Sequence, residues 1–231
     1  MTGTANDTAR QRILTRVRRG AEDSAHAAGR SMSDRRAAAE ARLAAAGTRR
    51  APTPAAATLE GEARVAQFLQ KLEAVDGTWD RIPSLDALPA ALSEALRGRN
   101  LPAAIRMGAD PELTGLDWAG LDASSGVGRI EEPATLSRAA AASAETGTLA
   151  LVSGPDNPVT LTFLGETHFV ALKRSEILGG LDDVWEVLRA RGALPRTVNL
   201  VTGPSRSADI GQVLQLGAHG PVALHVFVIE D

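Results

Sequence analysis

The chain has 231 residues, of which 44% are hydrophobic and only 3% aromatic, so any large core would consist mainly of Leu, Val, Ile and Ala. The formal net charge of -3 leaves no basic footprint of the kind that nucleic-acid-binding proteins usually carry. The absence of cysteine excludes disulfides, thiol nucleophiles and iron–sulfur clusters held by cysteine within this chain.

Metal binding and membrane insertion are also disfavoured. The chain contains four histidines, and no pair of them has the i, i+4 spacing of a helical zinc motif. No apolar run approaches the roughly 18 residues that a membrane helix needs, and the N-terminus lacks the apolar core of a secretory signal. We therefore expect a cytoplasmic protein with no membrane span and no metal centre of its own.

Residues 7–46 form the first predicted helical region. Ile13, Leu14 and Val17 make a short apolar stripe at helical spacing, and arginines surround it. We interpret this region as a solvated amphipathic helix that packs on a neighbour, in preference to an RNA-binding or membrane-binding element.

A linker is predicted to separate this region from the rest of the chain. Pro52 and Pro54 follow a stretch rich in Ala and Arg, a pattern typical of a helix that runs into a linker. We therefore divide the chain into a helical extension with its linker, residues 1–58, and an α/β domain, residues 59–231.

Apolar residues three and four positions apart predict helices in this domain. They are Val65, Phe68, Leu69 and Leu72; Leu85, Leu88, Leu92 and Leu96; Leu181, Val184, Trp185 and Leu188; and Ile210, Val213 and Leu214. The last of these helices is predicted to end near Gly217.

Short apolar runs bounded by Gly or Pro predict the strands. They are Ala103–Met107, Val127–Ile130, Thr148–Val152, His168–Leu172, Asn199–Thr202 and Leu224–Ile229. Most are continuously apolar, as expected for strands buried on both faces of a parallel sheet. Their alternation with helices predicts a three-layer α/β fold around an open, mostly parallel sheet.

A possible anion site follows the strand that ends at Thr202. Gly203 suits a tight turn, and Pro204 suits the first position of a helix. Free backbone amides at a helix start, next to Ser205, Arg206 and Ser207, would favour a phosphate or a carboxylate ligand. A well-capped helix that binds nothing explains the same residues, and both interpretations stay open.

The end of the same predicted helix carries a histidine between glycines. Gly217 and Gly220 hold His219 at a corner before the last strand. A histidine at such a corner suits acid/base chemistry or ligand contact. The alternative is a side chain that only bonds backbone across the turn.

A carboxylate precedes the strand at 148–152. Glu145, Thr146 and Gly147 form the turn into it, where Glu145 would serve as a base, a nucleophile or a hydrogen-bond acceptor. A purely structural polar turn is the competing interpretation.

Four motifs in this order resemble one known family. They are Ala144-Glu145-Thr146-Gly147-Thr148-Leu149, His168-Phe169-Val170, Thr202-Gly203-Pro204-Ser205 with Ala208-Asp209-Ile210, and Gly217-Ala218-His219-Gly220-Pro221 with Leu224-His225-Val226. Together they resemble the LUD domain family of lactate utilisation proteins, over roughly residues 100–231.

The resemblance implies a fold like the NagB/RpiA/CoA-transferase group and a role in the bacterial oxidation of L-lactate to pyruvate. It also implies two partner proteins that carry the iron–sulfur clusters, so that this chain needs no cofactor. The expected site has Glu145 and His219 as catalytic residues. Its expected ligand-binding residues are Thr146, Gly147, Thr202, Gly203, Ser205, Asp209, Gly217 and Gly220.

The chain departs from the family pattern between residues 155 and 165, where an expected Arg and Pro are missing. Gly211 replaces an expected acidic residue.

From the resemblance we expect an accessory subunit of a lactate-oxidising system. One alternative is a stand-alone binding protein or enzyme for a small carboxylate or phosphate. The other is an interaction module that docks through residues 1–58.

Overall fold

The computed structural model describes residues 3–27, 29, 31–46, 52–208, 214–217 and 219–231. Two compact units make up the chain, residues 1–52 and 53–231. Among the described helices, none combines the length and the apolar character that crossing a membrane requires.

The first unit consists of two helices, α1 (Gly3–Ala27) and α2 (Met32–Ala46), which confirms a helical N-terminal region. Ser31 starts α2, because its hydroxyl accepts the backbone N–H of Asp34 at 3.1 Å. The apolar stripe on α1 is exposed, with Ile13 and Val17 each 63% accessible.

The second unit alternates helices and strands. Its helices are α3 (Gly61–Glu73), α4 (Leu88–Gly98), α5 (Pro111–Thr114), α6 (Val159–Phe163) and α7 (Leu181–Ala190). Its strands are β1 (Thr78–Ile82), β2 (Ala104–Met107), β3 (Asp122–Ser125), β4 (Ala134–Arg138), β5 (Ala141–Ser143), β6 (Thr148–Val152), β7 (Thr167–Lys173), β8 (Ile177–Leu178), β9 (Val198–Val201), β10 (Arg206–Ala208), β11 (Leu214–Leu216) and β12 (Ala223–Ile229).

A six-stranded sheet in the order β1-β12-β7-β4-β2-β3 forms the centre of this unit, and all its neighbours pair in parallel. Helix α4 covers one face through Leu88, Leu92 and Leu96. Helix α3 covers the other face, where Phe68 and Leu72 are fully buried. This confirms the three-layer α/β fold with a mostly parallel sheet.

A second, four-stranded sheet in the order β8-β5-β6-β9 packs with α3 on the same face of the six-stranded sheet. Its strands β6 and β9 are antiparallel to each other, so two of the predicted strands lie outside the parallel sheet. Helix α7 packs on it through Val184 and Leu188, as the helical spacing predicted. Continuous apolar runs did not distinguish the two sheets, because both are covered on two faces.

Two sequence predictions are wrong. Val127–Ile130 is not a strand: β3 lies just before it, and Val127 and Ile130 are 56% and 81% exposed. The helix predicted after Gly203 is also wrong at both of its ends, because residues 206–208 and 214–216 pair as the antiparallel strands β10 and β11. Ile210 and Val213, on which this helix was predicted, lie outside the described residues. The backbone N–H of Ser205 bonds Pro221 O at 2.9 Å, so pairing between distant residues prevails over the local helical spacing.

Candidate functional site

A cavity of about 200 Å³ opens at the amino end of the parallel strands, between α6, the end of β9 and the start of β12. Its wall combines apolar side chains with hydroxyl and imidazole groups. The lining residues are Thr162, Phe163, His168, Leu200, Val201, Thr202, Gly203, Pro204, Ser205, His219, Gly220, Pro221 and Leu224.

His168 is the most deeply buried polar group of this cavity, with 1% exposure. Strand β7 carries it next to β4, and its Nε2 lies 3.0 Å from Ser137 Oγ. Its Nδ1 has no hydrogen-bond partner among the described residues. Burial lowers the pKa of His168 to about 3, because the apolar surroundings disfavour the imidazolium. At neutral pH the cavity therefore contains an uncharged imidazole with a free ring nitrogen.

Thr162 supplies a second buried polar atom, with 2% exposure. It belongs to α6, which is fixed to the sheet because Thr135 Oγ1 donates to Leu161 O at 2.8 Å. The Oγ1 of Thr162 also lacks a hydrogen-bond partner within the described part of the chain. Thr162 and His168 thus belong to the cavity wall, and each buries one polar atom that has no hydrogen-bond partner among the described residues.

Two backbone corners close the other side. The N–H of Gly217 bonds Ser205 O at 3.1 Å, and the Ser205 N–H bonds Pro221 O, so the corners at 203–205 and 217–221 lie together. Gly203 has φ +80°, and a Cβ there would lie 2.7 Å from Val75 O. Both the backbone conformation and the close approach require glycine at this position.

The charge at this site is low. His219 and Thr202 are exposed at the solvent end, and the lining residues that the structure describes include neither Lys nor Arg. Within the described ranges no group of three or more His, Asp or Glu side chains is arranged to hold a metal ion. The arrangement therefore suits a small ligand held by neutral hydrogen bonds.

The structure brings together five of the predicted site residues: Thr202, Gly203, Ser205, His219 and Gly220 line the cavity. A sixth, Gly217, lines an adjoining groove that also contains His219 and Gly220. Asp209 lies outside the described residues.

Glu145, Thr146 and Gly147 lie outside this cavity. An ideal Cβ on Gly180, just before α7, would be 3.1 Å from Glu145 Oε2, so this carboxylate lies near the start of that helix. Gly147 packs against the backbone of α3 at Lys71. The structure therefore does not place Glu145 beside His219.

A chain of hydroxyl groups connects the two places. Thr146 Oγ1 lies 2.7 Å from Thr148 Oγ1, which lies 2.7 Å from Thr202 Oγ1. Hydrogen bonds between threonine hydroxyls thus link the turn at 144–147 to the rim of the cavity, and the carboxylate of Glu145 takes no part in this link.

The predicted anion site at a helix start is absent, because residues 206–208 form a strand. Arg206, which stood beside that predicted site, forms an ion pair with Asp76. The backbone amide of Ser205 is bonded to Pro221 and is not free for a ligand.

A second polar cluster lies at the opposite, carboxyl end of the parallel strands. Arg138 Nε lies 2.9 Å from Asp110 Oδ2, and its Nη1 lies 3.1 Å from Glu176 Oε1. Lys173 Nζ lies 2.9 Å from Glu112 Oε1. Burial raises the pKa of Glu176, while Arg138 opposes this shift. Open α/β sheets usually bind ligands at this end, yet here its charges pair with each other.

Sequence reasoning did not assign Thr162 or His168 to the site. His168 had a usable signal, since a histidine inside a continuously apolar strand must be buried and must find a partner. Thr162 had none, because a threonine on a short amphipathic segment is ordinary. Arg138, Asp110 and Glu176 also gave no signal, since they come from separate parts of the chain.

The fold and the site define an open α/β protein with a small neutral cavity at the amino end of its parallel strands. Residues 133–229 match the LUD domain family. This match confirms, for that segment, the resemblance to the LUD domain family seen in the four motifs.

Two curated relatives show the extent of the similarity. Lactate utilization protein C of Anoxybacillus flavithermus is 36% identical over 88 residues, 38% of this chain and 40% of the relative. Lactate utilization protein C of Bacillus subtilis is 34% identical over 92 residues, 38% of each chain. The matching segment thus spans about two fifths of the curated relatives.

A solved structure extends the comparison of the fold. The crystal structure of a DUF162 family protein from Deinococcus radiodurans superimposes with a TM-score of 0.58 at 21% identity. The match covers 74% of this chain and 99% of the other. At this identity it supports the α/β architecture alone.

Proposed function

We propose that this chain is a cytoplasmic accessory subunit of a bacterial system that oxidises L-lactate to pyruvate. One observation carries the proposal: every residue that lines the cavity lies within 133–229, the segment that matches the LUD domain. Relatives that match this chain are named for lactate utilisation. The segment that matches the LUD domain therefore also forms a ligand-sized cavity.

The accessory role follows from the chemistry of the reaction. Oxidation of lactate to pyruvate releases two electrons and two protons, which an acceptor must take up. A chain without cysteine holds no thiolate-ligated cluster. We therefore assign electron transfer to iron–sulfur partner proteins, and ligand binding or positioning to this chain.

A deletion strain and an affinity-tagged copy test this proposal together. Deletion should abolish or slow growth on L-lactate but not on glucose, and the tagged chain should copurify with brown, iron-containing proteins. Normal growth on lactate together with recovery of no iron-containing partner would contradict the proposal.

A second candidate is a stand-alone binding protein or enzyme for a small metabolite. The small cavity favours it, because the described residues that line it enclose about 200 Å³ without a partner protein. Thermal-shift measurements with lactate, pyruvate, acyl-CoA and sugar phosphates test it. We expect no response to phosphates, since none of the described residues that line the cavity is a Lys or an Arg that would pair with them.

A further inference from the structure

A second concave surface adjoins the cavity at the amino end of the parallel strands and holds about 420 Å³. It shares Phe163, His219 and Gly220 with the cavity. We call it the amino-end groove. Its lining residues are Ile130, Phe163, Leu164, Gly165, Glu166, Gly217, His219, Gly220 and Val222. A molecule seated in this groove would therefore lie directly beside the cavity.

Four large apolar side chains of the amino-end groove are open to solvent. Ile130 is 81% exposed, Val222 44%, Phe163 39% and Leu164 38%. Single exposed apolar side chains are ordinary on a protein surface, whereas a group of them in one place marks an interaction site. Because water leaves all four when the groove is covered, the hydrophobic effect favours a partner there.

Backbone hydrogen bonds connect the walls of the groove. The N–H of Gly128 donates to Thr160 Oγ1 at 2.8 Å, which ties the loop before β4 to α6. The N–H of Glu166 donates to Glu132 O at 3.1 Å, and the N–H of Val222 donates to Glu166 O at 2.8 Å. The groove is thus formed before a partner arrives, so that binding orders little of this chain.

The charge of the groove decides which partner fits. Glu166 is exposed and forms no ion pair within the described part of the chain, and the other titratable lining residue is His219. Arg129 and Glu131 flank Ile130 in the sequence with opposite charges, so Glu166 sets the sign. Two copies that met groove to groove would bring their Glu166 carboxylates onto one shared surface. A Lys or an Arg complements Glu166 instead.

The reaction requires a protein partner at this place. Oxidation of lactate in the cavity would release two electrons, and their acceptor has to lie close to the ligand. We propose that the amino-end groove docks the electron-accepting iron–sulfur partner, through a segment of it that presents bulky apolar side chains beside a Lys or an Arg. The identity of the partner rests on the proposed function, whereas the chemistry of its segment rests on the groove alone.

Two synthetic helices test the chemistry of the groove on the full chain. One is a short amphipathic helix of Leu and Lys, and the other carries Glu in place of each Lys. Fluorescence anisotropy of the labelled peptides measures their affinities. The Leu/Lys helix should bind at least about tenfold more tightly, because it pairs with the groove carboxylate and the other helix is repelled. Equal affinities would overturn the proposal.

Matched variants locate the binding of the Leu/Lys helix. Ile130→Asp should weaken it about tenfold or more, because an apolar contact is lost. Leu194→Asp should not, since Leu194 is 58% exposed but does not line the groove. Glu166→Lys should weaken it about threefold or more, whereas Glu94→Lys makes the same change of charge on the exposed face of α4 without effect. Equal effects within either pair would place the binding elsewhere.

Sedimentation of the full chain distinguishes a partner protein from a second copy. We expect the native chain and Ile130→Asp to sediment with the same mass. A native oligomer that Ile130→Asp separates into monomers would show that a second copy covers the groove, and would overturn the proposal.

Copurification from lactate-grown cells tests the identity of the partner. The native chain and Leu194→Asp should retain the iron-containing protein, and Ile130→Asp should lose it. Retention by all three would reject the docking site. Normal growth of the deletion strain, with the two peptides still distinguished, would overturn the lactate pathway and leave the chemistry of the groove standing. A growth defect without discrimination between the peptides would do the reverse.

Discussion

The two ends of the parallel sheet differ in how their polar groups are satisfied. At the carboxyl end, Arg138 pairs with Asp110 and Glu176, so its charges neutralise one another. At the amino end, Thr162 and His168 are more deeply buried and their inner atoms have no partner among the described residues. The two ends therefore differ in charge and in space, since the carboxyl end carries paired ions and the amino end an uncharged cavity of about 200 Å³. We therefore assign stability to the carboxyl end and ligand binding to the amino end.

The largest effect on stability is expected from Arg138→Met at the carboxyl end. The change leaves two poorly exposed carboxylates without their cation, which costs about 3 kcal/mol in the free energy of unfolding. Urea denaturation measures it. The control is Arg81→Met, whose partner Glu62 is 58% exposed, and it should cost less than about 1 kcal/mol. Ligand affinity should not change in either variant.

The second largest effect is expected in the pH dependence of the free energy of unfolding, because His168 is buried as a neutral ring. Its folded pKa of about 3 lies below the unfolded value near 6.5, so its contribution is complete above about pH 6.5 and is lost as pH falls toward 3. At pH 5 the loss amounts to about 2 kcal/mol. Unfolding measured at pH 7 and 5 should show that His168→Gln falls less steeply than the native chain. An unchanged slope would mean that His168 is not buried as a neutral ring.

A substitution at the corner of the cavity should have a smaller effect. Gly203→Ala adds a Cβ at positive φ and next to Val75 O, which costs about 1–2 kcal/mol. Gly98→Ala is the matched control, because nothing lies within 4 Å of its added Cβ. Chemical denaturation should leave the control unchanged or slightly stabilised. Equal effects at both glycines would show that the corner is not tightly packed.

The smallest change in stability, of opposite sign, is expected for Thr162→Val. Valine has nearly the same shape and removes a buried hydroxyl that finds no partner among the described residues. The variant should be as stable as the native chain or more stable by up to about 1 kcal/mol. Thermal unfolding without ligand measures this, and a clear destabilisation would show that the hydroxyl already has a structural partner.

Much of the fold follows from local patterns. The spacing of Val65, Phe68, Leu69 and Leu72 predicted α3, and continuous apolar runs predicted β7 and β12. Strands β4 and β5 escaped detection, because their Ala, Ser and Thr residues are too small and polar to give an apolar run.

The site was less predictable than the fold. The motifs at 202–205 and 217–221 located its corners, but the helix predicted between them was wrong because Ser205 and Gly217 pair across the chain. Glu145 was expected at the site and lies near α7 instead. The buried groups Thr162 and His168 become recognisable only when the neighbours of each atom are known, and those neighbours come from distant strands.

Growth on L-lactate of a deletion strain that carries single variants distinguishes the two ends of the sheet. We predict that Ser205→Phe, which fills the cavity from its wall, accumulates but fails to restore growth, whereas Arg138→Lys restores it even though the carboxyl end is weakened. Restoration of growth by Ser205→Phe, together with its loss in Arg138→Lys at equal protein levels, would place the function at the carboxyl end and contradict the assignment of ligand binding to the amino end.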